Sequence, residues 1–467
     1  MNPEALHGKP VSVLGAGKSG LAAAELLVKM GARPFVSEYG AISRDARDFL
    51  RTLGVPFEED GHSGRVHEAE FCVVSPGIPQ TAPVLHDMDA GSLPVFSEIE
   101  LASWFCPARI IGITGTDGKT TTATLIHRIC EADGKLRGYR AFSVGNIGVP
   151  FSSKVLEMGP NDIAVLELSS YQLERCYSFR PDIAVLTNIT PDHMDRYGGD
   201  INEYARTKFR IHAAQGDGET LIYNHDDPML RSHFDRQKPW PFRVVRFGLK
   251  ADRLREGMDD FVSVEAGEIV ARTGGEPEGL IRVDTFIKPS FRGEHNLYNA
   301  LASVAAARSA GIPREVIGSS LLQFNGVEHR QEFAGSACGL EWINDSKATN
   351  VNAMRQALHA TPAGMVLIAG GRDKGNDYTP LFELVREKVD CIIAIGESQQ
   401  KIVDAFRGVV AVKPAGSLRD AVSLAVSAGR PGSSVLFSPA CSSFDMFINF
   451  EDRGIQFKQL VRELSSC

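Results

Sequence analysis

The sequence predicts an α/β protein of three domains, each built around a parallel β-sheet. Three observations support this prediction. Short apolar, β-branched runs alternate with helix-length segments along the chain, the pattern of parallel strands joined by crossover helices. Glycine-rich turns repeatedly join the end of such a run to the start of a helical segment. The chain has 467 residues, a length typical of about three domains.

The composition excludes several classes of protein. Hydrophobic residues make up 43% of the chain, but no apolar run approaches the roughly 20 residues of a membrane span, and we expect no membrane insertion. The N-terminus lacks the pattern of a signal peptide. Eight cysteines without a Cys-x-x-Cys pair indicate reduced thiols in a cytoplasmic protein, with neither zinc nor disulfides. A net charge of -8 argues against nucleic-acid binding, so a polyanionic ligand requires local basic groups.

The first predicted domain, residues 1–103, begins with a nucleotide-type turn. The apolar strand 11–14 is followed by Gly15-Ala16-Gly17-Lys18-Ser19-Gly20, and the next strand, 33–37, ends at Glu38. A Gly-x-Gly-x-x-Gly turn with an acidic residue after the second strand satisfies the dinucleotide fingerprint. The same turn also suits a UDP-sugar, whose diphosphate would lie at the helix N-terminus, or it is purely structural.

The second predicted domain, residues 104–326, contains the most informative motif. An apolar strand, 110–114, leads into Gly115-Thr116-Asp117-Gly118-Lys119-Thr120-Thr121 and then into a helical pattern. Such a loop presents backbone N–H groups, a lysine charge and a threonine hydroxyl to a phosphate and its Mg²⁺. The usual Gly-x4-Gly-Lys loop needs glycine at position 113, where this chain has isoleucine. The motif therefore predicts a nucleotide-phosphate site of a variant kind.

Polar residues also follow the next two predicted strands, 162–166 and 182–186. Glu167 comes directly after the first, where nucleotide-binding sheets place a carboxylate for Mg²⁺, although such a residue can also cap a helix. His193 follows the second, where it would hold a metal, orient substrate or serve only the structure. Lys208 lies in a basic amphipathic helix pattern, and its chemistry alone predicts an exposed surface residue.

The third predicted domain, residues 327–467, repeats the α/β pattern. Its predicted strands are 340–343, 365–369, 391–395 and 435–437. Arg330, the run 344–350 and Lys374 bring charge, amide and hydroxyl groups close to strand ends. These residues alone leave a binding role and a surface role equally open.

Taken together, the motifs resemble those of the Mur ligase family, the ATP-dependent amide-forming enzymes of peptidoglycan precursor synthesis. The resemblance covers nearly the whole chain. The loop 115–121 matches the family's ATP loop, including the shifted glycine, and His295-Asn296-x-x-Asn299-x-x-Ala302 matches a second family motif. The runs 344–350 and 438–445 resemble the members that add D-glutamate, and these two motifs are the most specific.

The resemblance implies a Rossmann-like N-terminal domain, a central P-loop-type ATPase domain with a parallel sheet and a Rossmann-like C-terminal domain. The implied activity is addition of D-glutamate to UDP-N-acetylmuramoyl-L-alanine, with ATP and two Mg²⁺ ions, by a monomer. Lys119, Glu167, His193 and Lys208 would be catalytic. Thr120 and Glu167 would hold one Mg²⁺, His193 the second, and Lys208 would become a carbamate suited to Mg²⁺.

The remaining roles are also carried over from the family, residue by residue. ATP would contact Gly115, Thr116, Asp117, Gly118, Lys119, Thr120, Thr121, Asn299, Arg330 and Asp345. The UDP-substrate would contact Ser19, Glu38, Ser75 and Asn146. D-glutamate would contact Thr349, Lys374, Ser438 and Phe444.

One residue departs from the family pattern. Asp117 stands where the family commonly has asparagine. Aspartate can make the same turn hydrogen bonds, but its charge beside a triphosphate is unfavourable unless it faces away or pairs with a cation.

Three other functions remain open on sequence grounds. One is a sister ligase that adds another amino acid or extends a folate with glutamyl groups. Another is a nicotinamide-dependent oxidoreductase that uses the turn 15–20, which would leave the loop 115–121 without a role. The third is a nucleotide-binding regulator that switches without ligation.

Overall fold

In the computed structural model, three sheets with flanking helices organise the part of the chain that is described: residues 6–236, 239–249, 260–288, 291, 293–373 and 375–464. The chain divides into two compact units. The first comprises Met1–Phe286 and Glu294–Phe324 and contains two sheets, and the second comprises Ile287–Gly293 and Asn325–Cys467 and contains the third. The α/β class is confirmed. The limits 1–103, 104–326 and 327–467 stay a prediction.

The first sheet is entirely parallel, with strand order β3-β2-β1-β4-β5. Its strands are β1 (Pro10–Leu14), β2 (Arg33–Ser37), β3 (Phe57–Glu58), β4 (Phe71–Val74) and β5 (Val95–Ser97). The accompanying helices are Lys18–Lys29, Arg44–Thr52, Pro83–Ala90 and Glu98–Ser103, with a 3₁₀ turn at Gly64–His67. The strands predicted at 11–14 and 33–37 are therefore present, and they carry the glycine-rich turn and Glu38 at their carboxyl ends.

The second sheet has the order β14-β13-β12-β11-β10-β9-β6-β8-β7. Its strands are β6 (Arg109–Thr114), β7 (Ala141–Gly145), β8 (Ile163–Glu167), β9 (Ile183–Leu186), β10 (Thr220–Asn224), β11 (Arg243–Phe247), β12 (Phe261–Glu265), β13 (Glu268–Arg272) and β14 (Glu278–Arg282). Its α-helices are Lys119–Arg137, Ser170–Leu173, Ile201–Phe209, Pro228–Arg236, Val283–Phe286, Glu294–Ser309 and Arg314–Gln323. Short 3₁₀ turns occupy Phe151–Ser153, Val155–Glu157 and Arg210–His212.

The edge of the second sheet differs from a purely parallel prediction. Strands β12, β13 and β14 pair in antiparallel fashion. The two residues between β12 and β13, Ala266 and Gly267, both have positive φ, at 49° and 79°. Two successive positive φ values are the geometry of a tight hairpin turn, which returns the chain beside itself.

The third sheet has the order β15-β16-β20-β17-β18-β19. Its strands are β15 (Glu332–Ala337), β16 (Leu340–Asn344), β17 (Met365–Gly370), β18 (Val389–Ile395), β19 (Ala411–Pro414) and β20 (Ser434–Phe437). Its helices are Val351–Ala360, Phe382–Lys388, Gln399–Ala405, Leu418–Ala428 and Phe450–Leu464, with a 3₁₀ turn at Thr379–Leu381. The four predicted strands are present. Strand β15, which the sequence did not predict, pairs antiparallel with β16 through another two-residue turn of positive φ.

The candidate site lies at the centre of the second sheet. Strands β6, β8 and β9 are buried almost throughout, as expected of parallel strands covered by helices on both faces. Their carboxyl ends meet at one edge, because Ile113 pairs with Glu167 and Thr114 pairs with Leu186. Among the described helices, none is both long and apolar enough to cross a membrane.

Candidate active site

The phosphate loop has a shape that requires glycine at two positions. Gly115 has a φ of 151° and Gly118 a φ of 81°. A Cβ atom on Gly115 would lie 1.9 Å from Thr187 Oγ1, and one on Gly118 would lie 2.2 Å from Asn299 Oδ1. Position 115 therefore has no room for a side chain, because Thr187 at the end of β9 lies against it. The loop ends at the first residue of helix Lys119–Arg137, which directs its N-terminus toward the loop.

The backbone of the loop is held by two residues that the sequence analysis did not single out. The Asp117 N–H donates to Asn188 Oδ1 at 2.8 Å, and the Asp117 carbonyl accepts from Thr187 Oγ1 at 2.6 Å. The Asp117 side chain is exposed. The local turn is therefore formed by backbone groups of residue 117, and its carboxylate accepts neither of these bonds. Thr187 and Asn188 directly follow β9, and this strand-end position was the available signal.

Two lysines converge on one carbonyl oxygen of the loop. Lys119 Nζ donates to the Gly115 carbonyl at 2.9 Å and to the Thr116 carbonyl at 2.7 Å. Lys208 Nζ donates to the same Gly115 carbonyl at 2.7 Å. Lys208 has only 1% of its surface exposed, so the prediction of a surface lysine from its chemistry alone is wrong. The helix Ile201–Phe209 turns this residue inward, with Nζ 4.6 Å from the centre of the Tyr204 ring.

Burial changes the chemistry of Lys208. Desolvation, followed by repulsion from Lys119, holds the pKa of the Lys208 amine well below its usual value of 10.5. The charges of Asp192, Asp117 and Glu167 oppose this shift without reversing it. A buried amine with a lowered pKa is neutral over a wider pH range and is a better nucleophile than an ordinary lysine.

Glu167 ends strand β8 with one carboxylate oxygen bonded and the other not. Asn146 Nδ2 donates to Oε1 at 2.9 Å, and the Asn146 N–H donates to the Glu167 carbonyl at 2.8 Å. No described residue donates a hydrogen bond to the buried Oε2 atom. Thr120 and Thr121, at the start of the following helix, are also buried. Hard carboxylate and hydroxyl oxygens at this edge fit a magnesium ion.

His193 lies in the loop after β9, in a left-handed conformation with a φ of 54°. Its Nε2 atom is 3.4 Å from Asp192 Oδ2, and its side chain is 48% exposed. The ring rests against Tyr171, with 5.0 Å between ring centres. The imidazole is thus accessible to a ligand while one side is packed.

The turn of the first sheet brings together Glu38 and Ser75, two of the residues predicted for the UDP-substrate. Glu38 Oε2 accepts the Ala16 N–H at 2.8 Å, and a Cβ on Gly15 would lie 2.7 Å from Ser75 Oγ. Ser19 is half-buried in the first turn of helix Lys18–Lys29. The fourth such residue, Asn146, instead contacts Glu167 in this structure, at the second sheet.

Asn299, which was predicted to contact the nucleotide, lies beside the loop 115–121. Its Oδ1 atom accepts from Thr122 Oγ1 at 3.3 Å, and it is the atom that a side chain at position 118 would strike. Asn299 is buried in helix Glu294–Ser309, which packs against the helix of the loop. This residue therefore supports the loop as well as facing it.

In the second unit, a residue predicted for the nucleotide and one predicted for D-glutamate contact each other. Ser438 Oγ donates to Asp345 Oδ2 at 2.8 Å, and the Gln331 N–H donates to Oδ1 at 3.1 Å. Burial raises the pKa of the Asp345 carboxyl from 3.8 to about 7, although these bonds and the charges of Arg330 and Lys347 oppose the rise.

The other predicted residues of this unit are less closely grouped. Arg330 and Thr349 are half-buried, and Phe444 is 60% exposed. Lys374 lies outside the described residues. Sequence reasoning missed Arg453, which is fully buried and donates to the Ser346 carbonyl at 2.7 Å and the Cys441 carbonyl at 3.1 Å. It thereby joins the two predicted D-glutamate motifs.

The fold and the loop together define a class of protein, an α/β nucleotide-phosphate-binding protein with a charged strand-end site. Three family models match the chain: the MurD N-terminal domain at residues 10–84, the Mur ligase middle domain at 113–307, and the Mur ligase glutamate ligase domain at 329–441. The chain belongs to the Mur ligase family.

Close relatives and similar folds agree with this assignment. UDP-N-acetylmuramoylalanine–D-glutamate ligase from Chlorobaculum parvum is 71% identical over 467 residues, covering 100% of both chains. The protein of the same name from Pelodictyon phaeoclathratiforme is 58% identical and covers 99% of both. Among solved structures, MurF from Acinetobacter baumannii has a TM-score of 0.57 at 18% identity, covering 93% of this chain and 91% of that one. UDP-N-acetylmuramate-alanine ligase from Thermotoga maritima has a TM-score of 0.53 at 19% identity, covering 99% and 100%. The two structures support the fold alone.

The glycine at 118 offers a matched test of the loop. Gly118 and Gly138 flank the same helix with φ values of 81° and 82°, but a Cβ on Gly138 meets nothing within 4 Å. We expect Gly138→Ala to cost about 1 kcal/mol of stability through backbone strain and to leave nucleotide binding unchanged. Gly118→Ala adds the collision with Asn299 and should weaken ADP binding by about tenfold or more. Calorimetric titration with ADP measures this, and equal affinities of the two variants would contradict the loop geometry.

Asp345 predicts a pH dependence of stability. Its carboxyl holds a proton in the folded chain up to pH about 7 but releases it near 3.8 when unfolded. The stabilisation is therefore complete below pH 3.8 and is lost as the pH rises to about 7, by on the order of 4 kcal/mol. Asp345→Asn should remove this dependence. Melting temperatures between pH 4 and 8 test it, with the exposed Asp377→Asn as control, and parallel curves for wild type and Asp345→Asn would disprove it.

Proposed function

We propose that this chain is an ATP-dependent ligase that joins D-glutamate to UDP-N-acetylmuramoyl-L-alanine in peptidoglycan precursor synthesis. The observation that carries the proposal is the convergence of Lys119 and the buried Lys208 on the Gly115 carbonyl, beside the strand-end carboxylate of Glu167. This arrangement suits a phosphoryl group that is being transferred. The name of the relatives at 71% and 58% identity supports the acceptor and the amino acid.

The reaction proceeds in two steps. The alanyl carboxylate of the UDP-substrate attacks the γ-phosphorus of ATP, so that an acyl phosphate forms and ADP leaves. The D-glutamate amine then attacks the acyl carbon, and inorganic phosphate leaves as the amide forms and the amine loses a proton. The loop N–H groups and Lys119 bind and orient the phosphates. They therefore stabilise the negative charge that develops on the phosphate oxygens during transfer.

The residues at the strand ends of the second sheet would bind the metal ions. Thr120 and Glu167 would hold one Mg²⁺, and His193 and a modified Lys208 would hold a second. When bound, these ions neutralise phosphate charge. Asn146 fixes the orientation of the Glu167 carboxylate by donating to Oε1 and leaves Oε2 available. These residue roles are carried over from the family motifs and supported by the positions described above.

Lys208 is suited to carbamate formation. Its neutral amine attacks the carbon of CO₂, an N–C bond forms, and one proton is released, so that a cation-forming group becomes an anion. The low pKa of the amine supplies the nucleophile, and the adjacent Lys119 would be attracted to the product. Carbamylation also turns the effect of the neighbouring Lys119, which disfavours a positive charge on Lys208, into an attraction.

The other ligands also have assigned residues. The UDP-substrate would contact Ser19, Glu38 and Ser75 at the turn of the first sheet and Asn146 at the second sheet. D-glutamate would lie in the second unit with Thr349, Lys374, Ser438 and Phe444, and Asn299, Arg330 and Asp345 would hold the nucleotide. We further propose the domain limits 1–103, 104–326 and 327–467, a monomeric state and a cytoplasmic location.

The assignment of D-glutamate is tested by phosphate release. Release should require ATP, UDP-N-acetylmuramoyl-L-alanine and D-glutamate together. D-aspartate, shorter by one methylene, should be about 10- to 200-fold poorer as judged by kcat/KM. Steady release without the amino acid, or a preference for another amino acid, would contradict the assignment and favour a sister ligase. Hydroxylamine trapping of the acyl phosphate would exclude a regulator that does not ligate.

Lys208 provides a second test. Lys208→Ala should lower kcat by about 100-fold or more, since it removes a charged group from the reacting phosphate. A short carboxylate such as acetate should restore part of the activity by occupying the place of the carbamate. Lys154→Ala, at a surface lysine paired with Glu157, is the control and should keep full activity. Absence of rescue, together with a native melting curve, would argue against the carbamate.

A further inference from the structure

Arg196 joins two loops that the proposed function assigns to different ligands. It lies three residues after His193, and its side chain is only 11% exposed. Nε donates to Glu174 Oε1 at 2.8 Å, and Nη2 donates to Glu174 Oε2 at 2.6 Å. The two-point pairing fixes the plane of the guanidinium as well as its position.

Arg196 contacts both the backbone turn of His193 and the aromatic ring that packs on it. The Arg196 N–H donates to the His193 carbonyl at 3.0 Å and closes the turn that begins at the histidine. The guanidinium carbon lies 4.0 Å from the centre of the Tyr171 ring, the same ring that packs on His193. Tyr171 lies four residues after Glu167, the last residue of β8, and its ring reaches the loop after β9 that carries His193. Arg196 thus supports His193 through the backbone and through the tyrosine.

The other side of Arg196 contacts the first sheet. Its Nη2 also donates to the Ile78 carbonyl at 2.9 Å, and the Ile78 N–H donates to the Ser75 carbonyl at 3.1 Å. Gln80 Nε2 reaches the same carboxylate, donating to Glu174 Oε2 at 2.9 Å. The turn that carries Ser75 is therefore bonded to the Arg196–Glu174 pair, as is the turn that carries His193.

From these contacts we propose that Arg196 is a positioning residue that sets the UDP-substrate turn and the His193 turn in one arrangement. The inference rests on the proposed function, which assigns the UDP-substrate to the turn of Ser75 and a Mg²⁺ to His193. Both turns must be correctly placed for the alanyl carboxylate of that substrate to reach the γ-phosphate. A lysine at 196 would keep the charge but could not form the two-point pairing or the flat contact with Tyr171.

The test compares Arg196→Met and Arg196→Lys with Arg175→Met. Arg175 is a matched control, since it forms the same two-point pairing with Asp89 and also contacts Gln80, on the first-sheet side of the cluster. Three dissociation constants are measured: Mn²⁺ by electron paramagnetic resonance with ATP present, UDP-N-acetylmuramoyl-L-alanine by calorimetry without ATP, and ADP by calorimetry. His193→Ala identifies the Mn²⁺ that depends on the histidine.

Arg196→Met should weaken the His193-dependent Mn²⁺ binding by about tenfold or more, because loss of a group that orients a metal ligand has an effect of this size. It should also weaken binding of the UDP-substrate several-fold. ADP binding should stay within about twofold, and Arg196→Lys should be intermediate. Arg175→Met should leave Mn²⁺ binding unchanged. Equal Mn²⁺ affinities in Arg196→Met and Arg175→Met, or a uniform loss of all three ligands with a lowered melting temperature, would overturn the proposal. Phosphate release by the wild type tests the proposed function separately, because it involves no change at Arg196.

Discussion

The carbonyl oxygen of Gly115 accepts a hydrogen bond from each of two lysines, and the chemistry of the site depends on this contact. Two ammonium groups that share one acceptor repel each other, and this repulsion contributes to the lowered pKa of Lys208. Two changes relieve this repulsion: Lys208 gives up its proton, or an anion enters. A chain of net charge -8 thus brings two lysine amines to one buried carbonyl oxygen of the loop.

A second constraint fixes the geometry around that point. Glu174 accepts from Arg196 and Gln80, and Tyr171, three residues earlier, packs between His193 and Arg196. Both residues lie in or directly beside the short helix Ser170–Leu173, which begins with a capping box at Ser169. The cap orients this helix just after Glu167. A local sequence signal therefore places the residues that join the first sheet to the strand ends of the second.

Features with local determinants could be predicted from the sequence. The strands at 11–14, 33–37 and 340–343 follow from apolar runs, and the turn at 115–118 follows from glycines that lie within seven residues. Features that depend on contacts between distant residues could not be predicted. Lys208 is buried because it reaches a carbonyl 93 positions away, and no helical periodicity contains that information. Similarly, the Asn146 contact with Glu167 depends on the pairing of β7 with β8. The antiparallel edges begin at the turns Ala266-Gly267 and Cys338-Gly339, which lack the Asn-Gly or Asp-Gly pair typical of hairpins.

Asp117 can be explained by the same electrostatics. The backbone of residue 117 forms the turn with Thr187 and Asn188, so these two bonds of the turn do not depend on the Asp117 carboxylate. The Asp117 carboxylate is exposed, and its charge raises the pKa of Lys208 and so opposes the effect of burial. In water, repulsion from a phosphate at 4 Å is about 1 kcal/mol per charge pair. Aspartate rather than asparagine at 117 therefore adds one negative charge near Lys208, while the loop keeps the conformation of its two glycines with positive φ.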